Sequence, residues 1–221
     1  MKSLAIVLLL ALLPRIALAI VPALPADDFE ELRREIRRIL SETHTAGAAL
    51  GLIEDGRTTW VASFGYADLH REIHVHVHTP FRLGSISKTF VAMSVLKLVE
   101  QGKLRLDQKV AELAPEIRIE NPWEGSDPVR VVHLLEHTAG FDDFHLCEYA
   151  HSDSRLIPLE EALAFNPRSR RVRWRPGTQF SYTNGGPPVA ARLVEKITGM
   201  RYEDYVRKTF FEPLEMRHAS F

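Results

Sequence analysis

The sequence predicts a mixed α/β fold of the α+β kind, in which an antiparallel strand pair precedes a long helix-rich region. Two apolar-rich runs, Gly47–Glu54 and Arg57–Gly65, flank an Asp55-Gly56 pair, which is a strong β-hairpin signal. From residue 85 onwards the apolar residues recur mostly at helical spacing. The 221 residues are 45% hydrophobic and 26% charged, which is typical of a folded globular domain with a sizeable core.

The individual elements follow from apolar spacing and from the residues that end helices. Asp27–His44 has the pattern of an amphipathic helix, and the hairpin follows it. Ser85–Gly102 is apolar nearly all round, which predicts a buried helix that Gly102 ends. Shorter helices are predicted at Val110–Leu113, Val129–His137, Leu159–Phe165, Val189–Ile197 and Tyr202–Phe211.

The N-terminal residues have the pattern of a secretory leader. Lys2 precedes the apolar run Leu4–Leu13, which is too short to span a bilayer, and Ala17-Leu18-Ala19 is an A-x-A cleavage pattern. We expect a signal peptide over residues 1–19 and a lead-in over residues 20–26, the alternative being an uncleaved anchor. The protein is therefore expected to be secreted or periplasmic, with membrane contact only through the signal peptide during export.

Charge and cysteine content exclude several other classes of protein. The chain carries 28 Lys+Arg and 29 Asp+Glu, so its net charge of -1 gives no indication of a nucleic-acid partner. A single cysteine, Cys147, excludes an intramolecular disulfide and a multi-cysteine metal site. We expect no cofactor, apart from the zinc alternative considered below.

The first candidate for chemistry is an S-x-x-K pattern, Ser85-Ile86-Ser87-Lys88, at the start of the buried helix. Positions i and i+3 share a helix face, so Lys88 can lie beside the Ser85 hydroxyl and activate it as a nucleophile. The helix N-terminus would stabilise an oxyanion. Ser94 and Lys97 have the same spacing deeper in the helix, so spacing alone does not choose between the two serines.

The second candidate is a Y-x-N pattern, Tyr182-Thr183-Asn184. A tyrosine held near a lysine is pushed toward phenolate and can then take a serine proton. An asparagine offers both a donor and an acceptor to a substrate amide. The alternative is a packed loop tyrosine followed by an ordinary Asn-Gly turn.

A third candidate is the H-x-x-E-H pattern of His133, Glu136 and His137, the spacing of some zinc hydrolases. We favour two hydrogen-bonded histidines on a short helix that ends at Thr138-Ala139-Gly140, but zinc chemistry remains the alternative.

Two further groups are weaker signals. His74, His76 and His78 alternate along an extended segment and could hold metal ions, although an exposed loop is favoured. The basic cluster Arg168–Arg175 could meet an anionic polymer or a membrane surface, but a solvated loop is favoured.

The ordered motifs resemble the serine β-lactamase and penicillin-binding-protein superfamily, specifically its class C β-lactamase-like serine hydrolases. The resemblance covers the chain from roughly residue 30 onwards, and several independent motifs in family order make it specific. The matching segments are Gly65–Asp68, Phe81–Phe90, Leu98–Leu104, His133–Phe141, Pro176–Asn184 and Phe211–Met216.

The resemblance implies a fold, a reaction and a role for each site residue. Residues 27–221 would form a β-lactamase/DD-peptidase-like domain, an antiparallel sheet with flanking helices plus a helical region. Ser85 would be the acylated nucleophile, and its N–H would be half of the oxyanion hole. Lys88 and Tyr182 would handle protons, and Asn184 would hold the substrate amide. The substrate would be a small-molecule or peptide amide, lactam or ester, and the residues do not choose among these.

One element of the family pattern is absent from the sequence. The family carries a K-T-G or H-x-G strand that lines the site, and neither motif occurs in the 221 residues. We therefore expect the front part of such a domain, without the C-terminal strands of its sheet. The alternative to an active serine hydrolase is a catalytically inactive fragment or pseudoenzyme. Loss of one oxyanion donor costs about 3 kcal/mol in a well-studied hydrolase.

Overall fold

The computed structural model describes residues 26–149, 155 and 157–221. The chain divides into two compact units, with the boundary between Thr79 and Pro80. The expected signal peptide, residues 1–19, lies outside the described residues, as does the lead-in up to residue 25. The assignment of residues 1–19, 20–26 and 27–221 to a leader, a lead-in and a domain therefore stays a prediction. No helix in the described part of the chain has the length and apolar character needed to cross a membrane.

The described part of the first unit contains one long helix and a small antiparallel sheet. Helix α1 spans Ala26–Glu42, and the strands are β1 (Gly47–Glu54), β2 (Arg57–Asp68) and β3 (Ile73–His74), in that spatial order. The predicted hairpin is confirmed, and β2 continues three residues beyond its predicted end.

Alternation along β2 explains the core of this unit. Every second residue from Trp60 to Phe64 is buried on one face of the sheet, where these side chains pack in one cluster with Ile36 of α1. The rings of Phe29 and Trp60 stack with centroids 5.4 Å apart. The sequence pattern missed β3, because a strand of two residues is too short to show an alternation. His74 lies on β3, and His74, His76 and His78 are all exposed.

The second unit is helical. A single 3₁₀ turn, Gly84–Ile86, leads into α2 (Ser87–Glu100). A further 3₁₀ turn spans Pro167–Arg170, and a turn of π-helix at Arg207–Phe211 continues the last helix. The other helices are α3 (Val110–Leu113), α4 (Val131–Leu135), α5 (Leu146–Tyr149), α6 (Leu159–Phe165), α7 (Gly186–Thr198) and α8 (Tyr202–Val206).

Helices α2 and α7 form the centre of the second core. Val95 and Leu98 of α2 and Leu193 of α7 are fully buried in one apolar cluster. Helix α7 begins at Gly186, three residues before its predicted start, because prolines are well accommodated in the first turn of a helix. A Cβ on Gly186 would lie 3.0 Å from the Leu134 carbonyl oxygen, so the start of α7 lies close to the backbone of α4.

Helix α4 is shorter than the predicted Val129–His137. It ends at Leu135, and His137 adopts a left-handed backbone conformation with φ of 57°. The chain therefore turns sharply just after the helix, and this turn places His137 beside the site described below.

Candidate active site

The start of α2 brings a serine and a lysine together, as the S-x-x-K spacing predicts. Ser85 lies in the 3₁₀ turn and Lys88 lies in the first turn of α2. Lys88 Nζ donates a hydrogen bond to Ser85 Oγ at 2.9 Å. Ser85 is exposed and Lys88 is half-buried, so the hydroxyl faces solvent while the amine is held beneath it.

The segment that leads into α7 supplies the other two predicted residues. The Tyr182 hydroxyl donates to Ser85 Oγ at 2.6 Å. Lys88 Nζ donates a second hydrogen bond to Asn184 Oδ1 at 2.8 Å. Residues almost a hundred positions apart therefore meet in one hydrogen-bonded group, and the four residues implied by the family resemblance are all in it.

Electrostatics favour the phenolate form of Tyr182. The Lys88 ammonium, through a hydrogen bond and its charge, and the Ser85 hydroxyl together lower the pKa of Tyr182. Lys88 Nζ lies 5.0 Å from the centroid of the Tyr182 ring. A tyrosine with a lowered pKa beside a serine hydroxyl can accept the serine proton.

His137 supports the Tyr182 segment from the other side. Its ring packs on the Tyr182 ring with centroids 4.5 Å apart. Its Nδ1 accepts the Thr183 N–H at 3.3 Å, and its carbonyl oxygen accepts the Ser181 N–H at 2.9 Å. Burial, reinforced by the charge of Lys88, lowers the pKa of His137 and favours the neutral, accepting form of the ring.

The zinc alternative finds no support in this geometry. Since α4 ends at Leu135, His133 and His137 do not share one helix face. The Nδ1 atom of His133 accepts the Arg130 N–H at 3.1 Å, so both histidines bond to backbone, as the favoured interpretation predicts. Among the described residues, no group of three His, Cys, Asp or Glu side chains could hold a metal ion, and this includes His74, His76 and His78.

The second S-x-x-K pattern is structural. Ser94 is completely buried, and its hydroxyl donates to the Phe90 carbonyl oxygen one turn back at 2.7 Å. Lys97 instead pairs with Glu100 at 2.7 Å on the surface. The structural surroundings therefore distinguish Ser94 from Ser85, which the S-x-x-K spacing alone did not.

The basic segment is not a uniform solvated loop. Arg170 is only 2% exposed, and its guanidinium donates to the carbonyl oxygens of Arg118 and Leu163. Arg173 and Arg175 are exposed and pair with Asp142 and Asp127 at 3.1 Å and 3.6 Å. The expectation of a solvated loop is wrong for Arg170, because the 3₁₀ turn Pro167–Arg170 buries this side chain, where backbone carbonyl oxygens accept its N–H groups.

Two residues of the site carry no signal in the sequence motifs. The Asp143 carboxylate accepts the Asn184 N–H at 2.7 Å, and the Tyr149 hydroxyl accepts from Asn184 Nδ2 at 2.7 Å. Asp143 follows the His137 turn in the chain, and Tyr149 ends α5, a four-residue helix too short for apolar periodicity to reveal.

A cavity of about 380 Å³ adjoins Lys88 and Asn184. Several apolar side chains line it, among them Val91, Phe144, Leu159 and Pro188. The hydrogen-bonded group of Ser85, Lys88 and Tyr182 thus has room for an apolar portion of a ligand on the side of Lys88.

Comparisons with known proteins identify the family of the chain. Residues 32–221 match the model of the beta-lactamase family. The chain is 29% identical over 182 residues to penicillin-binding protein 4* of Bacillus subtilis, covering 81% of this chain and 39% of that protein. The chain spans about two fifths of the length of the curated relatives it matches.

Solved structures share the fold. The octameric penicillin-binding protein homologue from Pyrococcus abyssi superposes with a TM-score of 0.75 at 29% identity, covering 86% of this chain and 43% of that one. A class C beta-lactamase in complex with cefoxitin gives a TM-score of 0.70 at 24% identity, covering 87% and 51%. The predicted mixed α/β architecture with an antiparallel sheet is confirmed. The match over residues 32–221 shows that the chain belongs to the beta-lactamase family.

Proposed function

We propose that the site catalyses acyl transfer through an ester formed on Ser85. The observation that carries the proposal is the double contact at Ser85 Oγ, which lies 2.9 Å from Lys88 Nζ and 2.6 Å from the Tyr182 hydroxyl. A serine hydroxyl is a weak nucleophile until a neighbouring base removes its proton, and Tyr182, assisted by the positive charge of Lys88, is placed to do so.

The first half of the reaction forms the acyl-enzyme. Tyr182, as a phenolate stabilised by Lys88, takes the Ser85 proton while Oγ attacks the carbonyl carbon of an amide, lactam or ester. In this scheme the N–H of Ser85, which lies in the 3₁₀ turn that leads into α2, donates to the oxygen on which negative charge develops. The bond to the leaving group then breaks, and Tyr182 returns its proton to the leaving nitrogen or oxygen.

The second half releases the acid. A water molecule gives a proton to Tyr182 and attacks the Ser85 ester, and the Ser85 oxygen recovers that proton as the acid departs. Lys88 keeps its positive charge throughout and stabilises each phenolate form of Tyr182. No cofactor enters this scheme.

Asn184 is the substrate-binding residue of the proposal. Its Oδ1 accepts from Lys88 Nζ, which leaves Nδ2 as the donor to a substrate amide carbonyl. In the structure Nδ2 donates to the Tyr149 hydroxyl, so a substrate carbonyl would replace that hydroxyl as acceptor. The apolar cavity beside Lys88 and Asn184 suits an acyl substituent without charge.

A β-lactam is the substrate class to test first. Two proteins that are each 29% identical to this chain bear the name of penicillin-binding proteins or their homologues. The alternative is a catalytically inactive form. Export through the signal peptide of residues 1–19 also belongs to the proposal, and sequencing the N-terminus of the exported protein tests it.

Covalent labelling decides between the active and inactive forms. We expect a fluorescent penicillin or a fluorophosphonate to label the wild-type protein, and labelling to vanish in Ser85→Ala. Ser94→Ala is the matched control, because Ser94 has the same spacing to a lysine but is fully buried. An unlabelled wild-type protein would favour the inactive form, and equal labelling of Ser85→Ala would exclude Ser85 as the nucleophile.

A further inference from the structure

The half-buried carboxylate of Asp143 accepts several hydrogen bonds from the segment that carries Tyr182. Asp143 Oδ1 accepts the N–H of Asn184 at 2.7 Å, the N–H of Phe144 at 2.8 Å and the hydroxyl of Thr183 at 3.2 Å. Asn184 Nδ2 lies 3.4 Å from each carboxylate oxygen. Both the backbone and the side chain of Asn184 are therefore tied to a single group.

The contacts of Thr183 extend this attachment to the start of α7. Thr183 is only 2% exposed, and its Oγ1 accepts the Gly185 N–H at 3.0 Å while donating to Asp143. Three consecutive residues, Thr183 to Gly185, are thus fixed directly or through one atom to the same carboxylate. Such a local network holds a loop in one conformation, because each buried donor would lose its partner if the loop moved.

Two short chains of contacts connect Asp143 to Ser85 Oγ. Asn184 Oδ1 accepts from Lys88 Nζ, which donates to Ser85 Oγ. Tyr182, one residue before Thr183, contacts Ser85 Oγ itself. Asp143 does not touch Ser85, so whatever it contributes to the reaction passes through Asn184 or Tyr182.

The negative charge of Asp143 disfavours the phenolate form of Tyr182. The electrostatic effect of Asp143 on Tyr182 is therefore opposite to any benefit that Asp143 gives by holding Tyr182 in place. Burial raises the pKa of Asp143, but hydrogen bonds from the Asn184 and Phe144 N–H groups outweigh burial and hold the pKa below its ordinary value. The resulting carboxylate raises the pKa of Tyr182, in opposition to Lys88. A benefit of Asp143 to phenolate formation must therefore come from geometry.

From these contacts we propose that Asp143 is a positioning residue that holds Tyr182 and Asn184 in register with Ser85 and Lys88. The inference rests on the proposed function and names a residue that the motif pattern does not contain. Displacement of a reacting group by about 1 Å can cost on the order of 100-fold in rate. Asp143→Ala is expected to slow acylation of Ser85 by about that factor.

The kinetic test compares three variants by the rate of labelling with a fluorophosphonate. Asp143→Ala should be slow, whereas Asp143→Asn keeps an oxygen that accepts the two N–H groups and should recover most of the rate. The acidic limb of the pH–rate profile of Asp143→Asn should lie at lower pH than that of the wild type, because the variant lacks the negative charge that raises the pKa of Tyr182. Asp142→Ala is the matched control, since that carboxylate pairs with Arg173. Equal rates for Asp143→Ala and Asp142→Ala would overturn the proposal.

A second measurement does not depend on activity. The side-chain amide resonances of Asn184, in protein labelled with ¹⁵N-asparagine, should shift in Asp143→Ala and stay in place in Asp142→Ala. Unshifted resonances in a folded Asp143→Ala protein would refute the positioning role. If the wild-type protein is not acylated at all, the proposed function fails, while the resonances still decide whether Asp143 positions Asn184. If Asp143→Ala does not fold, Asp143→Glu supplies the comparison, because its longer side chain displaces the carboxylate from the Asn184 N–H. A wild-type labelling rate with unshifted Asn184 resonances in that variant would overturn the proposal.

Discussion

Replacing Tyr182 by phenylalanine removes one oxygen atom and tests the proposed base directly. That oxygen lies 2.6 Å from Ser85 Oγ. The ring that remains still packs on His137, with centroids 4.5 Å apart, and still lies beneath Lys88 Nζ. Tyr182 is 46% exposed, so we expect the free energy of unfolding to change by less than about 0.5 kcal/mol.

The expected kinetic loss follows from what the hydroxyl does in the proposed step. A positioned side chain that takes a proton in the transition state contributes about 10²- to 10⁴-fold. The same range corresponds to about 3–5 kcal/mol of transition-state stabilisation. Lys88 stays in contact with Ser85 Oγ at 2.9 Å in the variant, which favours the lower half of the range because some activation of the hydroxyl persists.

The assay is the rate constant for labelling of Ser85 by excess fluorophosphonate at pH 8. Tyr66→Phe is the control, because it removes a phenol oxygen from the first unit, whose residues the proposed reaction does not use. Wild type and Tyr66→Phe should react alike, and Tyr182→Phe should react at least 100-fold more slowly. A Tyr182→Phe rate within threefold of wild type would refute the assignment of Tyr182 as the base.

Two further predictions concern pH and the turn beside the site. Tyr182 must lose its proton to act, and Lys88 lowers the pKa of Tyr182, so the acylation rate should rise with pH in a range below about 10. The pH–rate profile of Lys88→Ala should move to higher pH, and an unmoved profile would contradict the coupling. Gly140→Ala should reduce the free energy of unfolding by about 2–4 kcal/mol in urea titrations, since its φ is 77° and its Cβ would lie 2.6 Å from the Trp174 carbonyl oxygen. Gly102→Ala, with φ of 68° and open space around the Cβ, should cost only about 1 kcal/mol, and equal losses would contradict the steric explanation.

Local patterns in the sequence were sufficient to predict those features that residues close together in the chain determine. The Asp55-Gly56 turn predicts the hairpin because a two-residue loop of this kind closes on itself with few alternatives. The spacing of Ser85 and Lys88 predicts their contact because a helix fixes the separation of positions i and i+3. The meeting of these residues with Tyr182 was implied by the family resemblance, and no periodicity in the chain indicates it.

The residues that the patterns missed owe their roles to tertiary contacts. Asp143 belongs to no motif and becomes important only because the Thr183–Gly185 segment folds against it. Arg170 looks like its exposed neighbours in the sequence, yet burial and carbonyl acceptors decide its position. His137 has the spacing of a metal ligand, but α4 ends before it and its ring turns to support Tyr182.

The site depends on two hydrogen bonds that cross between the same two segments. Tyr182 bonds back to Ser85, and Lys88 bonds forward to Asn184, so each segment supplies one donor and one acceptor. A single bond would allow the segments to pivot, whereas two bonds at separate points fix their orientation. That geometry exists because α2 and the start of α7 are held in one packed core, where interiors tolerate little displacement. The proposed reactivity of Ser85 therefore depends on the packing of these helices as well as on the groups that touch it.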